Sequence, residues 1–103
     1  MRFHSLEKLI NLQPGYRRQF KIDNLHLLLL YSGDELVLLE SLCPHAGHSL
    51  LNAELHGDTI ECPRHGYRFR LSDGLLTRAT EQPCRNLRCY QLIYRGNEVG
   101  IVL

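Results

Sequence analysis

Residues 17–40 read RRQFKIDNLHLLLLYSGDELVLLE, and this stretch decides the fold. Arg17 to Ile22 is strand-like, Asp23-Asn24 offers a tight turn into Leu25 to Tyr31, and Ser32-Gly33-Asp34 turns the chain again into Glu35 to Glu40. Such a succession of strands joined by short turns is an antiparallel meander. The runs Leu27 to Leu30 and Leu36 to Leu39 do not alternate apolar with polar residues. Both faces of these strands are therefore expected to be covered, in preference to one face meeting a partner chain.

The same texture extends outward in both directions, with apolar runs between turn residues at intervals of about 8–12 positions, the pattern of a β-sandwich or barrel. Glu54-Leu55 and Thr59-Ile60-Glu61 flank a turn at His56-Gly57-Asp58, and Tyr67 to Leu71 and Leu75 to Thr77 flank Ser72-Asp73-Gly74. Leu87 to Tyr94 reads as one strand, followed by a turn at Arg95-Gly96-Asn97 and a last strand from Glu98 to Leu103. Towards the N-terminus, Pro14-Gly15 marks a turn, and Leu6 to Leu12 reads as a short helical turn or an irregular lead-in. The expected fold is all-β, an antiparallel sandwich or incomplete barrel. A length of 103 residues makes residues 1–103 one domain and leaves no room for a separate catalytic domain.

Lys and Arg together number 12 against 11 Asp and Glu, a balance that gives no reason to expect a nucleic-acid binder or a membrane-surface protein. The charges are unevenly spread, since residues 62–95 carry seven arginines against only Asp73 and Glu81. That leaves a basic side or merely scattered solvated arginines as open readings. Arg68 and Arg70, two apart on one strand face, make a candidate basic patch. The N-terminal residues lack a signal-like apolar stretch, so a cytoplasmic protein is expected, in which four cysteines serve as ligands or core thiols and not as a disulfide framework. Cys84 and Cys89 read as buried or half-buried thiols, with side chains on opposite faces of a strand.

Two segments interrupt the β pattern with Cys, Pro, His and Gly: Cys43-Pro44-His45-Ala46-Gly47-His48 and Cys62-Pro63-Arg64-His65-Gly66-Tyr67. Each supplies one thiolate and one imidazole. Sixteen residues separate His45 from Cys62, enough for a hairpin that returns both loops to one end of the sheet. Gly47 and Gly66 suit backbone that must approach a ligand closely, and Pro44 and Pro63 restrict the loops before anything binds. Cys2His2 is also an ordinary zinc set, although the single-residue gap between Cys43 and His45 departs from zinc-finger habit.

The Cys-x-His and Cys-x-x-His pair at this separation resembles the Rieske iron–sulfur family, and His65-Gly66-Tyr67-Arg68-Phe69 followed by Gly74 is similar to its low-potential ferredoxin branch. The resemblance implies a cluster-binding subdomain inserted at about residues 42–66. It implies one 2Fe-2S cluster, one iron held by Cys43 and Cys62 and the other by His45 and His65. Two ferric ions, two sulfides and two thiolates sum to zero charge, which makes an added electron easier to accept than with four thiolates. Where the high-potential branch has a stapling cysteine pair, this chain has His48 and Arg64; where that branch has serine and tyrosine hydroxyls, it has Tyr67 and Phe69. Fewer donors to sulfur imply a potential near or below about −150 mV. The implied role is that of a one-electron carrier, not itself an enzyme, taking electrons from a flavin-containing NAD(P)H-dependent reductase and passing them to a terminal oxygenase. The small subunit of NAD(P)H-dependent nitrite reductase, a redox-sensing module and a zinc-stabilised binding domain are the alternatives.

Overall fold

The computed structural model describes all 103 residues. The meander forms as expected: β2 (Arg17–Ile22), β3 (Leu25–Ser32) and β4 (Glu35–Glu40) pair antiparallel in sequence order. Asp23 takes a positive φ of 53° in the two-residue turn, as primed hairpin turns require. This sheet is the middle layer of the molecule. Leu27, Leu29 and Leu38 pack on one side with Leu6, Val99 and Ile101, whereas Leu28, Leu30 and Leu39 pack on the other with Ile60, Tyr67, Phe69 and Leu87. Burial on both faces is the reason the leucine run does not alternate, and each fully buried leucine contributes about 1.5–3 kcal/mol.

The first outer layer is the sheet β1 (Phe3–Lys8), β11 (Glu98–Val102) and β10 (Ile93–Arg95), in that order. Here one expectation is sharpened and one corrected. Within Leu6 to Leu12 the end of β1 takes Leu6–Lys8, and the short helical turn is the 3-10 turn at Leu9–Asn11. Strand β1 is irregular because Ser5 pairs with Gly100 and Glu7 with Val99, so Leu6 is an extra residue and strict alternation is lost. Leu87 to Tyr94 is not one strand: β9 (Cys89–Tyr90) pairs with β4 in the middle sheet, and after it the chain crosses to the outer sheet as β10.

The second outer layer is the meander β5 (Glu54–His56), β6 (Thr59–Glu61), β7 (Arg68–Arg70) and β8 (Leu76–Arg78). Every strand pairing in the molecule is antiparallel, so the fold is all-β as the turn pattern implied. Arg17 ties the middle sheet to this layer, donating from Nη1 to the carbonyls of Leu51 at 2.9 Å and Ala53 at 2.6 Å. The anticipated basic patch at Arg68 and Arg70 is neutralised, since Arg68 pairs with Glu61 at 2.8 Å and Arg70 with Asp73. No helix is long and apolar enough to cross a membrane.

Candidate metal centre

The two Cys/Pro/His/Gly loops fold as near copies of one another. Cys43 donates its backbone N–H to the His48 carbonyl at 2.7 Å and accepts from Gly47 N–H at 2.7 Å; Cys62 does the same with Tyr67 at 2.8 Å and Gly66 at 3.0 Å. Closing each loop this way demands a left-handed residue at its end, and Gly47 and Gly66 supply it with φ of 75° and 74°. The nearest protein atom to a Cβ built at either glycine is the Thr80 methyl, 3.5 Å from Gly66. The protein's own demand for glycine here is thus conformational, not one of space.

The loops meet at one end of the molecule and bring all four candidate ligands together. Cys43 and Cys62 are each 1% exposed and lie close enough for their thiols to interact, while the His45 and His65 rings stand edge to face with centroids 4.8 Å apart. Nδ1 of His45 and Nδ1 of His65 are both buried and have no hydrogen-bond partner. Two orphaned imidazole nitrogens cost about 1–3 kcal/mol each unless something accepts their lone pairs or protons. Burial pushes the Cys43 thiol up to about 11, with backbone N–H groups of His45 and then Ala46 opposing that and neighbouring Cys62 adding to it. A buried thiol pair and two orphaned imidazoles on adjoining loops make a donor set that soft or borderline metal ions would complete, with their charge ionising the sulfurs.

The surroundings exclude water on one side and open on the other. Tyr67 and Phe69 are fully buried beneath the loops, whereas Ala46, Gly47, Pro63 and Arg64 are exposed at the tip. Tyr67 lies flat on His45 with centroids 4.2 Å apart, and its hydroxyl donates to the Gln82 carbonyl at 2.6 Å. That hydroxyl is committed to the Gln82 carbonyl, and Phe69 has none, so neither side chain offers a hydroxyl donor to the centre. His48 is half-buried, its ring 5.9 Å from that of His65. The segment Thr80-Glu81-Gln82, which carries no motif, also reaches the centre: Thr80 Oγ1 donates to the His65 carbonyl at 2.6 Å, and a Glu81 carboxylate oxygen is 3.9 Å from His45 Nε2. Its only sequence signal is that Glu81 is one of two acids in an arginine-rich stretch.

Cys84 and Cys89 are free, half-buried thiols, and Cys84 lies within charge range of Cys62. Both pack against the same core, contrary to the opposite-face expectation, because Cys84 lies outside any strand and two-residue periodicity does not govern it. Burial pushes the Cys89 thiol up to about 11, which suits an unreactive core residue.

An all-β scaffold presenting two thiols and two imidazoles from paired loops at its tip has the donor set of a metalloprotein. The Rieske [2Fe-2S] domain profile matches residues 4–91, and the chain belongs to that family. It is 35% identical over 75 residues to ferredoxin CarAc of Metapseudomonas resinovorans, a match covering 72% of this chain and 67% of that protein. The ferredoxin of carbazole 1,9a-dioxygenase from Nocardioides aromaticivorans IC177 superposes with a TM-score of 0.78 at 28% identity, covering 96% of this chain and 95% of that one. A chain from a complex of reduced oxygenase and oxidized ferredoxin in carbazole 1,9a-dioxygenase superposes with a TM-score of 0.77 at 27% identity, covering 93% of this chain and 97% of that one. The cofactor is accordingly a Rieske 2Fe-2S cluster.

Proposed function

We propose that this chain is the ferredoxin of a multicomponent oxygenase system, a single Rieske domain with its cluster-binding part at about residues 42–66. It carries single electrons to a terminal oxygenase and is not itself the enzyme. We infer that it receives them from a flavin-containing NAD(P)H-dependent reductase and works in the cytoplasm. Cys43 and Cys62 would hold one iron through Sγ, and His45 and His65 the other through Nδ1.

The observation that carries this reading is the pair of buried, unpartnered Nδ1 atoms on the same two exposed-tipped loops as two buried thiols. When bound, the cluster supplies a one-electron couple. The chain's own residues do the rest. Tyr67 and Phe69 exclude water from below, Tyr67 orients the His45 ring by stacking, and the loop hydrogen bonds of Gly47 and Gly66 hold both cysteines in register. At the exposed tip, Ala46, Gly47, Pro63 and Arg64 let a partner approach the histidine side without a conformational change.

Iron and sulfide analysis, with electron paramagnetic resonance after reduction, tests the centre. Two irons and two sulfides per chain are expected, lost in His45→Ala. A colourless protein with stoichiometric zinc would overturn the electron-carrier reading. Rapid reduction by a flavin reductase and reoxidation by an oxygenase distinguishes a carrier from a redox sensor, which would pass electrons to neither.

A further inference from the structure

Glu81 is the one acid near the centre that no arginine or lysine neutralises. Among other acids, Glu40 pairs with Arg85, Glu61 with Arg68 and Asp73 with Arg70, whereas the ion-pair contact of Glu81 is with His45 Nε2. At 3.9 Å the contact is too long for a hydrogen bond, so the interaction is one of charge. The carboxylate itself is exposed, but the residues on either side of it are held in place. The residue before it is bonded through Thr80 Oγ1 to the His65 carbonyl, and the residue after it accepts from Tyr67 Oη, both at 2.6 Å. Tyr67 in turn stacks on His45. The chain on either side of Glu81 is thereby anchored to the Cys62–Tyr67 loop, whose Tyr67 stacks on His45 of the other loop.

We propose that Thr80-Glu81-Gln82 is a strap that holds a negative charge against the outer edge of His45, and that Glu81 thereby lowers the reduction potential of the centre. The inference rests on the proposed role of His45 as a ligand. A fixed negative charge opposes the arrival of an electron, and it acts here through an imidazole only 18% exposed. The Glu81 side chain is itself 58% exposed, so solvent screens the effect to about a threefold to tenfold change in the reduction equilibrium. For a one-electron couple that is about 30–60 mV.

The test is a redox titration of the intact cluster-bearing protein at one fixed pH, with Glu81→Gln, Glu81→Lys and Thr80→Val beside the wild type. Glu81→Gln should favour reduction by about threefold to tenfold with the visible spectrum unchanged, and Glu81→Lys should go further in the same direction. Added salt should shrink both differences. Thr80→Val, which frees one end of the strap while keeping the charge, should give a smaller shift of the same sign. Potentials that ignore the charge series would overturn the electrostatic role, and no shift in Thr80→Val would overturn the strap. His45→Ala run in parallel separates the two levels: a full normal cluster in that variant refutes the ligand assignment, whatever the Glu81 series shows.

Discussion

Replacing Arg17 tests whether the layer that carries the centre is fastened to the rest of the molecule by one side chain. Arg17 projects from β2 and uses Nη1 for two hydrogen bonds, to the carbonyls of Leu51 and Ala53. Both acceptors lie between the Cys43 loop and β5, and Ala53 is 2% exposed, so its carbonyl has little access to a substitute water. Hydrogen bonds from a charged donor contribute about 1.5–3 kcal/mol each. The pair costs less than twice that on removal, because the same substitution abolishes the desolvation of a half-buried guanidinium. Arg17→Met keeps most of the aliphatic stem and should destabilise by about 2–4 kcal/mol. Arg17→Lys, which presents a compact ammonium in place of the fork, should recover about half. Urea unfolding followed by the visible absorbance of the cluster and by far-ultraviolet circular dichroism measures both. The midpoint should fall with the slope unchanged, and the cluster signal should be lost no later than the backbone signal. A loss below about 0.5 kcal/mol for Arg17→Met, the range of ordinary surface substitutions, would refute the claim that this side chain joins the two layers.

Gly100→Ala should destabilise by about 1–3 kcal/mol or more, because the new Cβ would sit 2.0 Å from the His4 carbonyl oxygen and force β1 off β11; thermal melting that leaves the midpoint unmoved would contradict this. The Glu7 carboxyl is held at about 2, by hydrogen bonds from Asn11, Tyr16 and the Lys8 N–H before the charge of Arg18. Its folded value lies below its unfolded one, so its contribution is fully present above the usual carboxylate range and drains away as pH falls towards about 2, roughly 1–2 kcal/mol after screening. Comparing wild type with Glu7→Gln by urea unfolding at neutral pH and at pH values stepped down from the usual carboxylate range towards about 2 should show the gap between them closing on acidification. The double variant Cys84→Ser/Cys89→Ser should keep two irons, since neither thiol is one of the four proposed ligands; loss of iron in it would overturn that ligand assignment.

Much of the molecule is legible in the sequence where the determinants are local. Turns at Asp23-Asn24, Ser32-Gly33-Asp34 and His56-Gly57-Asp58 sit between the strands they separate, and each metal-binding loop carries its cysteine, histidine and left-handed glycine within five residues. Local spacing of that kind needs no knowledge of what lies across the fold. Strand β1 was illegible because its identity comes from pairing with the far end of the chain and its bulge erases alternation. The change of sheet after Tyr90 leaves no glycine or proline to mark it.

By itself the sequence determined an all-β chain with two thiolate–imidazole loops, because those features are written in residue type and short spacing. Only the tertiary structure decided which leucines of residues 27–30 serve which core, that Arg68 and Arg70 are neutralised, that the Tyr67 hydroxyl is committed to the Gln82 carbonyl, and that Glu81 stands beside His45. These are meetings between distant segments. Their energies depend on distance and burial in the folded state, quantities that a list of residues does not contain.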